Sequence, residues 1–310
     1  MGNVVEMKET LFSVAMATYN GERFIKEQID SILRQTIQNI EIVICDDCST
    51  DSTWEILKEY AKDDFRFKIY RNETNLGFCK NFEKAISLCH GDYIALSDQD
   101  DVWMDNHIEV LLKGLGNKVM ACGNALLVDE KGISVGVTWR EMELLDYIPD
   151  DDLKKLKSIL FFRNPYQGAS MLFKRELLKF ALPFPDGTLF HDRWLAIVST
   201  VSGGISYVNQ ILLYYRRYIK NVTSYRSKRN RTKHFLHGWM AKNTEELDNL
   251  IERTKSILPY SRLKEIQKWR YIIKNNTKWR KPITISFLLK DFKNIYSYNF
   301  RLIANNNKHY

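Results

Sequence analysis

The most constraining feature of this chain is an alternation that runs through its first 130 residues. Short apolar runs, "LFSVAMA" (11–17), "IEIVIC" (40–45), "FKIYRN" (67–72), "YIALS" (93–97) and "KVMACGNALLV" (118–128), are separated by stretches with helical periodicity. Ile25, Ile29, Ile32 and Leu33 share one face of "ERFIKEQIDSILRQ", and Phe78, Phe82, Ile86 and Cys89 share one stripe after a Gly77 turn. A further helix follows "DDCSTDS", where Ser52 with Glu55 fits a capping box and Asp51 is a rival cap. "NHIEVLLKGL" also reads as helix. Strands alternating with such helices predict βαβ units: an α/β fold with a mostly parallel sheet covered on both faces.

In such sheets ligands bind beyond the carboxyl ends of the strands. Three polar clusters fall on that edge: Ala17-Thr18-Tyr19-Asn20 after the first strand, Asp46-Asp47 after the second, and Ser97-Asp98-Gln99-Asp100-Asp101 after the fourth. Carboxylates packed this closely repel one another. Helix capping or simple solvation accounts for one or two of them, but not for acids at two strand ends on one edge. A divalent cation with an anionic ligand accounts for both, because Mg²⁺ typically binds one or two carboxylates together with substrate phosphates.

The alternation breaks after about residue 130. Residues 131–165 read as an insertion with a helix near "DDLKKLKSILFF". "QGASMLFKRELL" suggests a strand and short helix, and a helix starts near His191-Asp192. "ISYVNQILLYYRR" gives one or two strands, and the chain is helical and basic from about Arg231, with interruptions near Pro259 and Pro282. No apolar run approaches the ~20 residues of a membrane span, and "MGNVVEMKET" lacks the pattern of a secretory signal, so a cytoplasmic protein is expected. The five cysteines are odd in number. Cys45 and Cys48 form a CxxC without a second pair, which favours buried thiols over metal or redox chemistry. The net charge of +8 is uneven: residues 226–310 carry 20 Lys+Arg and 6 Asp+Glu, whereas residues 1–225 carry 26 and 32. The basic segment suits an anionic surface, while the acidic strand ends and the net negative remainder argue against nucleic acid.

"VAMATYNGERFIKEQIDSILRQT", "EIVICDDCSTDST" and "GDYIALSDQDDVW", in this order and spacing, closely resemble the family 2 glycosyltransferases with a GT-A fold. The resemblance covers roughly residues 11–225, and "LSDQDDVW" with "LYYRRYIKNVT" is most similar to a bacterial rhamnosyltransferase-like branch. It implies a catalytic domain over 1–225, with a nucleotide-sugar half at about 11–130 and an acceptor half at about 131–225, followed by a basic helical region over 226–310. It also implies sites: Ala17, Thr18 and Tyr19 along the nucleotide, Asp47 accepting from a uracil or thymine imide, Asp98 at ribose or metal, Asp100 on Mg²⁺ or Mn²⁺, and Asp192 in "FHDRW" as the base, unless it is a plain helix cap. Glu22, Asp46, Gln99 and Gly168 are further candidates around these motifs. The implied reaction is inverting transfer from a nucleotide-diphosphate sugar, UDP- or dTDP-linked, to a glycan or lipid-linked acceptor of surface polysaccharide.

Several residues keep two readings. Asp101 is a metal neighbour or local support for the next helix. His191 assists or packs, and Trp194 stacks on a sugar face or fills the core. Lys80 and Asn81 reach phosphate or are an ordinary helix start. Arg216 contacts the diphosphate or lies on the surface. Tyr218 stands where relatives often place a metal-contacting His, which leaves room for a degenerate nucleotide-sugar or glycan-binding module. The tail mixes cations and aromatics and either lies at the inner membrane face or packs on the core with a solvated basic side.

Overall fold

The computed structural model describes residues 10–142, 148–161, 164–218 and 234–275. The alternation is realised as β1 (Phe12–Thr18), α1 (Ile25–Leu33), β2 (Ile40–Asp46), α2 (Thr53–Asp63), β3 (Phe67–Arg71), α3 (Phe78–Ser87) and β4 (Tyr93–Ser97). A two-residue strand β5 (Val102–Trp103) precedes α4 (His107–Leu115), then β6 (Met120–Val128), β7 (Ser134–Thr138), α5 (Trp139–Met142) and α6 (Asp152–Phe161). The rest comprises β8 (Met171–Lys174), α7 (Leu178–Ala181), α8 (His191–Ser202), β9 (Ile205–Arg216), α9 (His234–Thr254) and α10 (Tyr260–Asn275).

Among the described residues these strands form one sheet in the order β3-β2-β1-β4-β8-β6-β9-β5, with β7 paired to β6. The block β3-β2-β1-β4 is parallel throughout. β8 then runs antiparallel to both β4 and β6. The fifth apolar run, β6, therefore points the same way as β4 without touching it. Local hydrophobicity cannot reveal this, since β8 arrives from 50 residues downstream. β9 is one long strand, parallel to β6, with register breaks at Cys122/Asn124 and Asn124/Ala125. Such irregularities bend a strand and increase its twist.

The period-2 pattern divides the strand side chains between two cores. Val14, Met16, Ile42 and Ile44 pack with Ile25, Ile29 and Ile32 of α1 and Ile108, Leu111 and Leu115 of α4. Ala15, Val43, Ile94 and Leu96 face Phe82 and Ile86 of α3 and Trp194, Leu195 and Ile197 of α8. The second core also takes in Leu247 and Leu250 of α9 and Ile266 and Trp269 of α10. The described part of the C-terminal region is thus packed on the sheet layer. Pro282, the later aromatic and basic stretches, and the expected boundary at 225/226 lie outside the described residues.

The expected capping box at α2 does not form, for Ser52 makes no side-chain cap bond. Asp51 instead accepts from the Thr53 backbone N–H at 3.0 Å, and Glu22 accepts from the Ser52 N–H at 2.9 Å. The α2 start is thereby tied to the loop after β1. All five cysteines are free thiols.

Candidate active site

The carboxyl ends of β1, β2 and β4 open into a cavity of about 1050 Å³. Ala17, Thr18, Tyr19, Glu22, Asp47, Asn81, Asp98, Gln99, Asp100, Gly168, His191 and Asp192 all line it. Residues separated by up to 175 positions meet here because the parallel strands end on one edge, while α8 begins opposite them.

The acids differ in their bonds. Asp46 is fully buried and accepts from Thr18 Oγ1 at 3.1 Å and the Ser49 N–H at 3.0 Å. It braces the β1 and β2 ends and does not line the cavity. Asp47 does line it, with its oxygens already taking Asn72 Nδ2 at 2.7 Å and the N–H groups of Leu76 and Gly77 at 2.8 and 2.9 Å. Gly77 adopts a φ of 81°, left-handed geometry that suits glycine there. Asn81 is likewise engaged: its Nδ2 donates to the Cys45 carbonyl at 2.8 Å, and its Oδ1 accepts from Asn72.

The loop after β4 is fastened at three points. Gln99 pairs with the Tyr19 backbone, accepting from its N–H at 2.9 Å and donating to its carbonyl at 3.0 Å. Arg216 Nε donates to the Asp100 carbonyl at 2.9 Å and Nη1 to the Glu130 carbonyl at 3.1 Å, while Nη2 pairs with Glu27. Its guanidinium also lies 4.5 Å over the Phe24 ring. Asp101 is fully buried and accepts from the Arg216 backbone N–H at 3.0 Å. Two expectations are corrected here. Arg216 is neither a surface residue nor a cavity wall but a buried clasp on the acidic loop. Asp101 supports β9, not the following helix.

Tyr218 donates its phenol O–H to Asp100 Oδ2 at 2.9 Å. The position where relatives often place His therefore still touches this acid, as a hydrogen-bond donor. Burial pushes the Asp98 carboxyl up to about 7, with the charges of Asp100 and Asp192 adding to the rise. Asp100 is also raised by burial, with the Tyr218 bond and Arg216 opposing. Asp192 is pushed up to about 6 by burial, against the N–H groups of Arg193 and Gly168. Asp98 thus feels the charges of both Asp100 and Asp192.

For three further residues with two readings the structure gives their surroundings. Lys80 is outside the cavity lining and pairs with Glu83 at 2.8 Å. Trp194 fills the core, with its Nε1 donating to the Ala181 carbonyl at 2.9 Å. His191 lines the cavity but is buried and stacked on Phe82 at 3.9 Å between centroids. Burial holds its imidazole down at about 3, so it is neutral. Sequence reasoning missed Phe24, Phe78, Trp139, Gln167, Phe190 and Tyr215 as lining residues. Gln167 carried a readable signal, a polar residue directly before the candidate Gly168. The aromatics carried none, since apolar residues at such positions read as core.

Among the described residues no group of three or more His, Cys, Asp or Glu side chains makes a ready cation cage. Mg²⁺ or Mn²⁺ bound through one or two carboxylates and completed by phosphates does not require such a cage. Asp98 and Asp100 fit this binding as carboxylate donors on the cavity wall, with burial raising and Arg216 lowering the Asp100 carboxyl.

A curled, mostly parallel sheet with acids at its carboxyl edge defines the GT-A class. Staphylococcus aureus TarS 1-349, solved in complex with UDP-GlcNAc, shares it with a TM-score of 0.59 at 19% identity, over 91% of this chain and 80% of that one. Residues 13–179 match the family model Glycosyl transferase family 2, and the chain belongs to that family of glycosyltransferases. An uncharacterized glycosyltransferase of Methanocaldococcus jannaschii, MJ1057, is 30% identical over 234 residues, 73% of this chain and 76% of that protein. The putative colanic acid biosynthesis glycosyl transferase WcaA of Escherichia coli is 40% identical over 104 residues, 33% of this chain and 37% of that protein.

Proposed function

We propose that this glycosyltransferase moves a sugar from a UDP- or dTDP-sugar, dTDP-rhamnose among the candidates, to a hydroxyl of a glycan or lipid-linked acceptor of bacterial surface polysaccharide, with inversion. The observation that carries this reading is the convergence of Asp98 and Asp100 with Asp192 in one cavity. The named product of the WcaA relative and the UDP-GlcNAc bound by TarS agree with it.

The nucleotide lies along Ala17, Thr18 and Tyr19, and Asp47 accepts from the base imide. Asp100 would hold Mg²⁺ or Mn²⁺ with the diphosphate, and Asp98 would support it at the metal or at the ribose. Such a cation, when bound, offsets the negative charge that builds on the leaving phosphate. Asp192 takes the proton of the acceptor hydroxyl as it attacks, and its raised pKa of about 6 suits a base working near neutral pH. Attack from the side opposite the diphosphate inverts the anomeric carbon. Among the described residues no helix is long and apolar enough to cross a membrane. We assign contact with the inner membrane face to the basic segment beyond residue 275, and salt-sensitive flotation with anionic vesicles tests it.

The test of the reaction is nucleotide release from a panel of UDP-, dTDP- and GDP-sugars with Mn²⁺ and with EDTA. Asp100→Ala is expected to abolish metal-dependent release while the protein stays folded. Asp192→Asn is expected to bind UDP or dTDP normally and to lose at least ~100-fold in transfer. Wild-type turnover in either variant removes the corresponding role.

A further inference from the structure

We infer that the Gln167 carboxamide, with the His191 imidazole on the lining of the same cavity, reads hydroxyls of the transferred sugar and so sets donor specificity. The inference rests on the nucleotide-sugar reading above.

Gln167 precedes the 3₁₀ turn Gly168–Ser170, and its backbone is fixed. Its carbonyl accepts from the Ser170 N–H and the Ser170 Oγ, each at 3.1 Å, and from the Cys122 thiol at 3.7 Å. The side chain has the opposite character. Gln167 is only 5% exposed, yet neither its Oε1 nor its Nε2 has a hydrogen-bond partner. His191, 7% exposed, also leaves both ring nitrogens unpartnered while its ring face stacks on Phe82. Buried polar side-chain atoms are nearly always hydrogen-bonded, so two such groups on the lining of one cavity call for a ligand that pairs with them.

Their placement says which ligand. Both line the cavity that holds Asp98, Asp100 and Asp192. Between them Gly168 brings its backbone so close that a Cβ there would lie 2.9 Å from His191 Nε2 and 3.4 Å from the Asp192 Cβ. The Gly168 N–H also bonds the Asp192 carboxylate. Gln167, His191 and Asp192 therefore share one wall region of the cavity, joined through Gly168. A carboxamide presents donors and an acceptor, and a neutral imidazole one of each. That set uses both its donors and its acceptors on sugar hydroxyls, which donate and accept, whereas an ionised phosphate only accepts and leaves the acceptors unpaired. An acceptor carried on a larger glycan or lipid has to extend through the open rim, where Arg23 and Glu130 are half-exposed. The buried wall is left to the smaller group, the donor sugar.

The experiment compares the full wild-type chain with Gln167→Met and Gln167→Glu. It measures binding of UDP and dTDP with Mn²⁺, and metal-dependent turnover of the best wild-type donor and of its epimers. The expected result for Gln167→Met is nucleotide affinity within twofold of wild type, kcat/KM for the preferred donor down roughly tenfold or more, and a collapse of the preference between epimers. An unchanged epimer preference, or a change confined to acceptor KM, overturns the inference. Failure of both variants to fold also overturns it, since the side chain would then be structural. If wild type binds neither nucleotide and turns over no sugar in the panel, the nucleotide-sugar reading itself falls.

Discussion

Asp98, Asp100 and Asp101 are one residue type within four positions, yet their partners separate them. Asp101 is tied to the Arg216 backbone, Asp100 is held by the Tyr218 phenol, and Asp98 lines the cavity with its pKa raised to about 7. Asp98 costs stability when ionised: its folded pKa lies above the unfolded value of ~3.9. The penalty is complete above pH 7 and vanishes as pH falls through 7 towards 4. Asp98→Asn should therefore raise Tm by a few degrees at pH 8, on the order of 1–3 kcal/mol, with the gain shrinking between pH 7 and 4 while transfer is lost. Thermal melts of both proteins across this range check it; a gain independent of pH removes the electrostatic account.

At the scale of elements, the site is built by clasps between strand ends. Gln99 joins the β4 loop to the β1 end, Asn81 of α3 joins α3 to β2, and Arg216 at the end of β9 joins β9 to the acidic loop and α1. Arg216→Met removes bonds to two backbone carbonyls and to Glu27. Urea unfolding should show a loss of roughly 2–4 kcal/mol, with a larger drop in transfer than in nucleotide binding, because the loop carrying Asp98 and Asp100 loses its anchor. Equal stability would mean the clasp is replaceable. The elements themselves were legible in the sequence, since α1, α3 and α4 follow the 3.6-residue stripes and β1 to β4 follow the apolar runs. β5 was not legible, because Val102 and Trp103 form a strand only by pairing with Tyr214 and Leu213 more than 100 residues away.

At the scale of the whole molecule, α9 and α10 close one face of the sheet layer. Leu247, Leu250, Ile266 and Trp269 are buried with α8 residues, and Arg193 pairs with Glu246. Trp269→Ala should cost about 3–5 kcal/mol in unfolding free energy. Ending the chain before α9 should expose this core and lower soluble yield, measured against the full chain. A stable, active protein lacking both helices would show the face to be covered in some other way.

The sequence by itself determined the alternation of strands and helices, the acids at the strand ends and the family motifs. These depend on local periodicity and on short spacings that survive any packing. The tertiary structure decided which acids share the cavity, that Arg216 is a clasp, that Trp194 belongs to the core, and that Gln167 and His191 face the same space as Asp192. A side chain's partners come from elements distant in sequence, so burial and hydrogen bonding settle only when the sheet closes.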